Sequence, residues 1–296
     1  MAKITIPIAL VLFKRFETLR RIADELKRHE ISELYLIGDG PRNEDEKDLT
    51  DKAREIAEKI PAKKIHKVYS KNNLGLRENL TRGITIATKK ARQVIVLEDD
   101  CLPSAAFLES CQTLSEFWRQ EDLLAGFCGS TFLPRKNDSG VWRSAKFNVW
   151  GWMVHSEIWR KFIGSEFLHM SSMKLEEHSS SLRKLPLLAQ WEMRRIVKRL
   201  DAIDTWDIQF EMFCLENNYE FIKPRRNLVQ NIGFDIEATN TSKFGASLSL
   251  PSAEGAVSST EVPVRRSQLL ECLEHSTKFL RLLGELFGKR LFRGFR

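Results

Sequence analysis

Strands and helices alternate through the first hundred residues, and this alternation limits the possible folds more than any other feature of the chain. Apolar, β-branched runs predict strands at residues 6–13, 33–37, 65–69 and 93–97. Segments with the apolar spacing of helices separate them, at residues 16–29, 45–60 and 76–90. Connections of this kind are right-handed crossovers between parallel strands. The sequence therefore predicts an α/β fold with a mainly parallel central sheet and helices on both faces.

The positive charge of the chain is concentrated at its C-terminal end. The formal net charge is +7, and residues 265–296 contain eight basic residues against three acidic ones. The rest of the chain is close to neutral, so we expect no nucleic-acid partner. Leucines and phenylalanines are interspersed with these basic residues, which predicts a basic amphipathic helix. Such a helix either lies on an anionic membrane surface or docks its apolar side on the domain, and the sequence leaves both readings open.

The apolar segments are short. The longest run, residues 6–13, falls well below the ~20 residues that a spanning helix needs. It continues into Lys14 and Arg15 with no small-residue cleavage site behind it, so it reads as a buried strand and not as a signal peptide. The five cysteines contain no CxxC pair, which argues against a disulfide framework and a zinc knuckle. We predict a cytoplasmic protein, with peripheral attachment to the inner membrane face as an option.

Ligands of open parallel sheets bind beyond the carboxyl ends of the strands, where acidic residues stand in this chain. Glu98, Asp99 and Asp100 directly follow the fourth strand. Three adjacent carboxylates repel one another unless a cation is present, and hard divalent cations take oxygen ligands together with substrate phosphates. An acidic turn that caps the next helix is the structural alternative, and the triplet alone does not decide between the two.

Two further motifs lie in the second half of the chain. Residues 150–152 read Trp-Gly-Trp within a predicted strand at 147–154, and Asp207 follows Trp206 at the start of a predicted helix. The indole rings could form the floor of a sugar site or pack in the core. Asp207 could be a catalytic group or an N-cap, which typically contributes ~1 kcal/mol.

Taken in order along the chain, these motifs resemble those of bacterial glycosyltransferases of the GT-A fold. The matching segments are residues 72–76, 97–100, 150–152, 205–209 and 227–234. The enzymes concerned are related to the Golgi N-acetylglucosaminyltransferase I family. The resemblance runs from about residue 6 to residue 241, and implies a nucleotide-sugar donor with Mn²⁺ or Mg²⁺ on its diphosphate.

The resemblance also implies roles for individual residues. Asp100 is similar to the metal-binding last carboxylate of a DXD-like triplet, and Asp207 matches the catalytic base. The implied donor contacts are Arg15, Asp39, Asn73, Gly75, Arg77, Glu98, Asp99, Trp150, Gly151 and Trp152. Asn240 stands where relatives often carry a histidine, and is the second implied metal ligand although an amide carries no charge.

The sequence thus predicts a metal-dependent, inverting glycosyltransferase that uses a nucleoside-diphosphate sugar, with UDP-sugars favoured. The acceptor would be a glycan or lipid-linked glycan of a bacterial surface polysaccharide. The expected organisation is a GT-A domain at 1–236, divided at residue 103 into nucleotide-sugar-binding and acceptor halves. A flexible lid or linker would follow at 237–264, and the C-terminal helix at 265–296. A sugar nucleotidyltransferase or a non-catalytic binding protein on a transferase fold are the alternatives.

Overall fold

A mostly parallel sheet forms the centre of the protein in the computed structural model, which describes residues 2–117, 123–133, 139–234, 248–253 and 266–287. Its strands are β1 (Lys3–Ile4), β2 (Ile8–Leu12), β3 (Glu30–Gly38), β4 (Ala62–Tyr69), β5 (Gln93–Glu98), β7 (Leu124–Cys128), β8 (Val141–Ser144), β9 (Trp152–His155) and β10 (Glu220–Pro224). A separate antiparallel ribbon joins β6 (Cys101–Pro103) to β11 (Val229–Asn231). The α/β fold predicted from the alternating pattern is confirmed.

Strand β5 has one parallel neighbour, β2, and one antiparallel neighbour, β9. Across the sheet the order is β4–β3–β2–β5–β9–β7–β10–β8, with β1 pairing with the beginning of β3. The strands from β4 to β5 are parallel, while β9 pairs antiparallel with both β5 and β7. Because β3 and β5 flank β2 on opposite sides, the chain reverses its winding at β2. A crevice forms at the carboxyl ends of strands at such a reversal.

Helices cover both faces of this sheet. They are α1 (Phe16–Leu26), α2 (Glu44–Glu58), α3 (Leu76–Thr88), α4 (Ala105–Phe117), α5 (Ser156–Ile163), α6 (Ser172–Glu177), α7 (Leu187–Val197), α8 (Asp207–Glu216) and α9 (Gln268–Phe287). Alternate residues of β2 enter different cores: Ile8 and Leu10 pack with α1, and Ala9 packs with α3. The central strand is therefore apolar at every position, as expected when both faces of a strand are covered.

The Trp-Gly-Trp motif corrects one expected strand. Residues 147–151 do not belong to a strand, and β9 begins only at Trp152. Gly151 has a φ of 60°, and a Cβ added to it would lie 2.7 Å from the Val229 side chain. The positive φ and the close approach of Val229 turn the chain here, so that the two tryptophans differ in environment.

Helix α9 docks on the domain with its inner side. Glu271, Glu274 and His275 are buried there. Glu271 accepts hydrogen bonds from the Ala145 amide and from Arg266, and Glu192 of α7 pairs with Lys278. This side of α9 therefore docks on the domain, and the charges of Arg266 and Lys278 are paired with carboxylates of the protein itself.

The expected lid falls only partly within the described residues. Leu248 is buried, the Ala253 amide donates to the Asn227 carbonyl over 2.7 Å, and Ser249 donates to the Asn231 carbonyl. Residues 237–247 and 254–264 lie outside the described residues, as do residues 288–296 of the tail. Among the helices that the structure describes, none is both long enough and apolar enough to span a membrane.

Candidate active site

A cleft of about 590 Å³ opens at the carboxyl ends of β2, β3 and β5. Nine of the predicted site residues line it: Arg15, Asp39, Asn73, Gly75, Glu98, Asp99, Asp100, Trp150 and Asp207. The two halves of the chain both contribute, since Asp207 belongs to α8 and the carboxylate triplet follows β5. The crevice rule for parallel sheets therefore brings together groups that are more than a hundred residues apart.

The carboxylates of the triplet repel one another in this cleft. Burial, and then the charges of Asp100 and Asp99, raise the pKa of Glu98 well above its usual value, and Asp207 adds to the effect. Burial and the charge of Asp100 raise the pKa of Asp99 to about 7. The cleft therefore concentrates negative potential, and any added positive charge is favourable there.

Arg15 supplies positive charge to the triplet from the chain itself. Its Nη1 donates to Asp100 Oδ2 and lies 4.0 Å from Asp99 Oδ1. Asp99 is held in addition by the Phe13 amide, which donates to its Oδ2 over 2.9 Å. Gly233 borders this pair so closely that a Cβ on it would lie 2.5 Å from Asp100 Oδ2. The loop after β2 thus fixes both aspartates.

The donor set fits a divalent cation, the cofactor that the resemblance implies. Carboxylates are hard oxygen ligands of the kind that Mg²⁺ and Mn²⁺ prefer. A cation would also relieve the repulsion that, after burial, raises the pKa of Glu98. Within the described part of the chain, no group of three or more His, Cys, Asp or Glu side chains could hold a metal by itself. Protein sites for Mg²⁺ usually supply one or two carboxylates and leave the rest to substrate phosphates. Asp100 with Asp99 matches that kind of site, and Asn240 lies outside the described residues.

Asp39 organises the loop before α3. Its Oδ1 accepts hydrogen bonds from the amides of Gly40 and Leu74 over 2.8 Å each, and its Oδ2 accepts from the Gly75 amide and from Asn73 Nδ2 over 3.0 Å each. Burial raises the pKa of Asp39, and the three amide donors oppose that rise. A carboxylate offers about four lone-pair sites, and three of the four hydrogen bonds to Asp39 come from this loop. Asp39 thereby shapes the cleft wall at Asn73 and Gly75.

Asp207 stands at the first turn of α8. Thr205 Oγ1 donates a hydrogen bond to its Oδ1. This position is the N-terminal end of the helix, where the positive end of the helix dipole lies. A carboxylate held in this way, facing a cleft, is suited to accept a proton.

The two tryptophans of the Trp-Gly-Trp motif have separate roles. Trp150 lines the cleft and packs edge-on against Phe132 and Phe234. Trp152 is 1% exposed and stacks on Trp206 in the aromatic core, where it has no surface to offer a ligand. Neither Gly151 nor Trp152 lines the cleft. The contacts with the sugar donor that the resemblance implied for these two residues are therefore not available in this cleft.

Arg77 lies outside the main cleft. It lines a neighbouring, more open cavity, and its Nε donates to the Thr205 carbonyl over 2.7 Å. Asp204, which borders both cavities, accepts a hydrogen bond from the Leu76 amide over 2.6 Å at the start of α3. These contacts join the loop before α8 to the N-terminus of α3. Arg77 therefore helps to hold Thr205, which lines the main cleft, but does not line that cleft itself.

Comparison with known proteins decides the family of this chain. Residues 10–167, more than half of the 296 residues, match the family described as glycosyl transferase family 2. The chain belongs to glycosyl transferase family 2. The matched residues form a glycosyltransferase-type domain, and its mostly parallel sheet with flanking helices is the GT-A fold expected from the sequence. The finer relation to N-acetylglucosaminyltransferase I stays a prediction.

Solved structures similar to this family 2 chain include several transferases. The glycosyltransferase GlyE of Streptococcus pneumoniae has 10% identity and a TM-score of 0.34, over 73% of this chain and 45% of that one. The galactosyltransferase LgtC, in complex with donor and acceptor sugar analogues, has 12% identity and a TM-score of 0.34, over 73% of each chain. UDP-glucose pyrophosphorylase has 9% identity and a TM-score of 0.39, over 77% of this chain and 93% of that one. The chain spans less than half the length of the pneumococcal protein. Among curated proteins, none matches significantly.

Two basic side chains at the mouth of the cleft were not predicted from the sequence as site residues. Lys14 and Arg42 both line the cleft, and both pair with the buried Glu46 of α2, Lys14 at 3.0 Å. Arg42 precedes the first residue of α2, so the i, i+4 spacing of helix side chains does not apply to its pair with Glu46. The sequence offered no signal for either contact, because both depend on how the loops after β2 and β3 meet α2.

Proposed function

We propose that this family 2 glycosyltransferase moves a sugar from a UDP-sugar to a hydroxyl group of a glycan or lipid-linked glycan. The observation that carries the proposal is that one cleft is lined both by the carboxylate triplet at 98–100 and by Asp207. The triplet is suited to bind a diphosphate through a cation, and Asp207 is suited to accept a proton. A glycosyl transfer needs both at once.

The donor would bind along the carboxyl ends of the strands. Asn73 and Gly75 border the side of the cleft that Asp39 shapes, and Trp150 offers an aromatic face to a sugar ring. Asp100, with Asp99, would hold Mn²⁺ or Mg²⁺. A divalent cation held there would supply positive charge that stabilises the departing diphosphate. Arg15, Lys14 and Arg42 add positive charge along the same wall.

Asp207 would act as the general base. It takes the proton of the acceptor hydroxyl while that oxygen forms a bond to the anomeric carbon. The bond between that carbon and the diphosphate oxygen breaks, and its electron pair leaves with the nucleoside diphosphate. A single displacement of this kind inverts the configuration. General base catalysis typically contributes ~10²–10⁴ in rate.

The wider setting follows from the same reading. We propose residues 1–236 as the catalytic unit, divided near residue 103, with the acceptor half after it. The product would belong to a bacterial surface polysaccharide, and the enzyme would work in the cytoplasm at the inner membrane face.

Ligand binding tests the donor assignment. Thermal unfolding is measured with UDP-, GDP-, dTDP- and CMP-sugars, each with and without Mn²⁺. A ligand present at ~100 times its dissociation constant adds ~2.7 kcal/mol to the free energy of unfolding, which is easily detected. We expect the largest shift with a UDP-sugar together with Mn²⁺. An absence of stabilisation by every donor would contradict the proposal.

Variants test the roles of the two carboxylate groups. Asp207→Asn should leave donor binding nearly unchanged and lower the transfer rate by at least ~10². Asp100→Ala should weaken the Mn²⁺-dependent part of donor binding. Asp48→Asn, on the exposed side of α2, is the matched control and should alter neither. Release of pyrophosphate instead of a nucleoside diphosphate would identify a nucleotidyltransferase.

A further inference from the structure

The outer sides of α7 and α9 expose large apolar side chains. On α7, Leu187 is 82% exposed and Trp191 is 48% exposed. On α9, Leu269 is 78% exposed, and Leu273 and Leu280 are exposed beside it. Their spacings of four and seven residues place the exposed leucines of α9 on one stripe, as the spacing of four does for Leu187 and Trp191. We call these two stripes together the α7/α9 face.

The two stripes are joined by fixed contacts. The ring of Trp191 meets that of Phe279 edge-on, with centroids 6.3 Å apart. Beside this contact Glu192 of α7 pairs with Lys278 of α9, and His275 Nδ1 lies 3.4 Å from Glu192 Oε2. The Glu192–Lys278 ion pair holds the helices together from the inner side and leaves the leucines outside. The α7/α9 face is therefore one surface on two helices that are in contact.

Basic residues extend the same side of α7. Arg194, Arg195 and Lys198 are exposed, and they follow Leu187 at intervals of seven, eight and eleven residues. These intervals return to the helix face that carries Leu187 and Trp191. The guanidinium of Arg195 lies over the Trp191 ring, 4.7 Å from its centroid. Apolar and cationic groups thus share one surface.

We infer that the α7/α9 face binds to the surface of an anionic lipid bilayer. Helices that lie in a membrane interface combine an apolar side with Lys and Arg, and a tryptophan commonly sits at the level of the headgroups. Scattered exposed leucines are ordinary on a protein surface, but a continuous patch bordered by basic residues marks an interaction site. The positive border favours an anionic lipid surface over a neutral one.

The position of α7 connects this surface with the active site. Ile196, nine residues after Leu187 and therefore on the opposite side of the same helix, lines the cleft that contains Asp207. A bilayer against the α7/α9 face would hold a lipid-linked acceptor about one helix diameter, ~10 Å, from this cleft wall. This part of the inference rests on the proposed function and specifies its acceptor as one embedded in lipid.

Vesicle sedimentation of the full chain tests the membrane surface. The probes are vesicles of phosphatidylcholine alone and vesicles that also contain phosphatidylglycerol. We expect binding to the anionic vesicles only, and weaker binding at high salt because exposed charges are screened. The triple variant Leu187→Ser, Trp191→Ser, Leu269→Ser should lose binding. The triple variant Arg194→Gln, Arg195→Gln, Lys198→Gln should bind about 100-fold more weakly, since each basic residue contributes about fivefold.

Matched controls alter exposed residues elsewhere on the protein. Leu123→Ser and Ile65→Ser remove exposed apolar side chains, and Lys89→Gln with Lys90→Gln removes exposed charge. These variants should bind vesicles like the unaltered protein. Equal vesicle binding by all variants would overturn the inference. A dimer in light scattering that the Leu187, Trp191 and Leu269 substitutions dissociate would also overturn it, in favour of a second copy on this face.

Nucleotide binding separates this inference from the proposed function. UDP-sugar binding in the presence of Mn²⁺ is measured by calorimetry without vesicles for every variant. A variant that no longer binds vesicles but still binds the nucleotide-sugar is folded. Such a result would support the α7/α9 face as the membrane-binding surface. Vesicle binding by a protein that takes no nucleotide-sugar would contradict the proposed function and leave the α7/α9 face standing.

Discussion

Lys223 Nζ lies 2.7 Å from Glu274 Oε2, and the two side chains are 0% and 2% exposed. The pair connects β10, which lies between β7 and the edge strand β8, to helix α9. Burial opposes the ionised form of Glu274, but the charge of Lys223 and its hydrogen bond lower the pKa of Glu274 below its usual value. Glu274 also accepts hydrogen bonds from Thr131 Oγ1 and the Phe132 amide, each over 3.1 Å. Helix α9 is thus held by a charged contact inside the protein.

Removing Glu274 should destabilise the whole domain. Glu274→Ala leaves the buried ammonium of Lys223 without its carboxylate, and breaking a buried ion pair on one side costs ~3–5 kcal/mol. We expect a decrease of that size in the free energy of unfolding measured with urea. Ser276→Ala, on the exposed side of the same helix, should change it by less than ~0.5 kcal/mol. If the two variants unfold alike, α9 is not held by this pair.

The stability of the cleft mouth should depend on pH through Glu46. The hydrogen bond from Arg42, together with Lys14, lowers the pKa of Glu46 to about 2. A carboxyl group whose folded pKa lies below its unfolded value of 4.5 stabilises the protein above that value. The contribution disappears as the pH falls to about 2. Because Arg42 is half exposed, we expect ~1 kcal/mol at neutral pH and not the full value of the shift.

The measurement is a comparison of Glu46→Gln with the unaltered protein by urea unfolding across this pH range. The difference in unfolding free energy should be present at neutral pH and shrink steadily with acid. Glu55→Gln, at an exposed position of the same helix, should show little difference at any pH. A difference for Glu46→Gln that stays constant with pH would mean that its charge is not what stabilises the loop.

Asp39 should be required for the shape of the donor side of the cleft. Asp39→Asn replaces one acceptor oxygen with an amide group that donates, so it faces donors such as the Gly75 amide and Asn73 Nδ2. Each buried donor left unpaired costs ~1–3 kcal/mol. We expect UDP binding to weaken by about 10- to 100-fold in calorimetry. Asp48→Asn serves as the exposed control, and equal affinity of the two variants would argue against this role.

The sheet and one wall of the cleft could be predicted because they depend on local pattern. The apolar run of β2 and the helical spacing after it define a crossover unit, and the rule for strand ends then brings Arg15, Asp39 and Asp99 to one edge. None of this needs knowledge of the side-chain contacts. What Asp39 and Arg15 touch at that edge was beyond prediction, because loop hydrogen bonds depend on the folded backbone.

The second half of the cleft depends on pairings between distant segments. Trp150 and Trp152 look alike in sequence, but the positive φ of Gly151 directs one to the cleft and the other to the core. The contact between Asp204 and the Leu76 amide spans 128 residues. Gly75 has no side chain to cap α3, which implies an acceptor from elsewhere without saying which one. Only the folded chain identifies Asp204.

Asp204 should position the loop that leads to the proposed base Asp207, without taking part in the reaction. Its Oδ2 accepts from the Leu76 amide over 2.6 Å, and the loop that it belongs to leads directly to Asp207. Asp204→Ala leaves the first turn of α3 without an acceptor, which costs ~1 kcal/mol. It also releases the backbone before Asp207. We expect kcat to fall about five- to tenfold with little change in KM, because the displaced group is Asp207, which as the proposed base would act in the transition state.

Rescue by asparagine distinguishes this role from simple destabilisation. Asparagine caps helices as well as aspartate does, so Asp204→Asn should keep most of the rate. Asp201→Ala removes a comparable acceptor, of the Ser172 amide at 2.9 Å, from a residue that does not line the main cleft. This control should leave kcat unchanged. If kcat falls equally for Asp201→Ala and Asp204→Ala, the loss of either hydrogen bond disturbs the loop. Asp204 would then have no specific role in positioning Asp207.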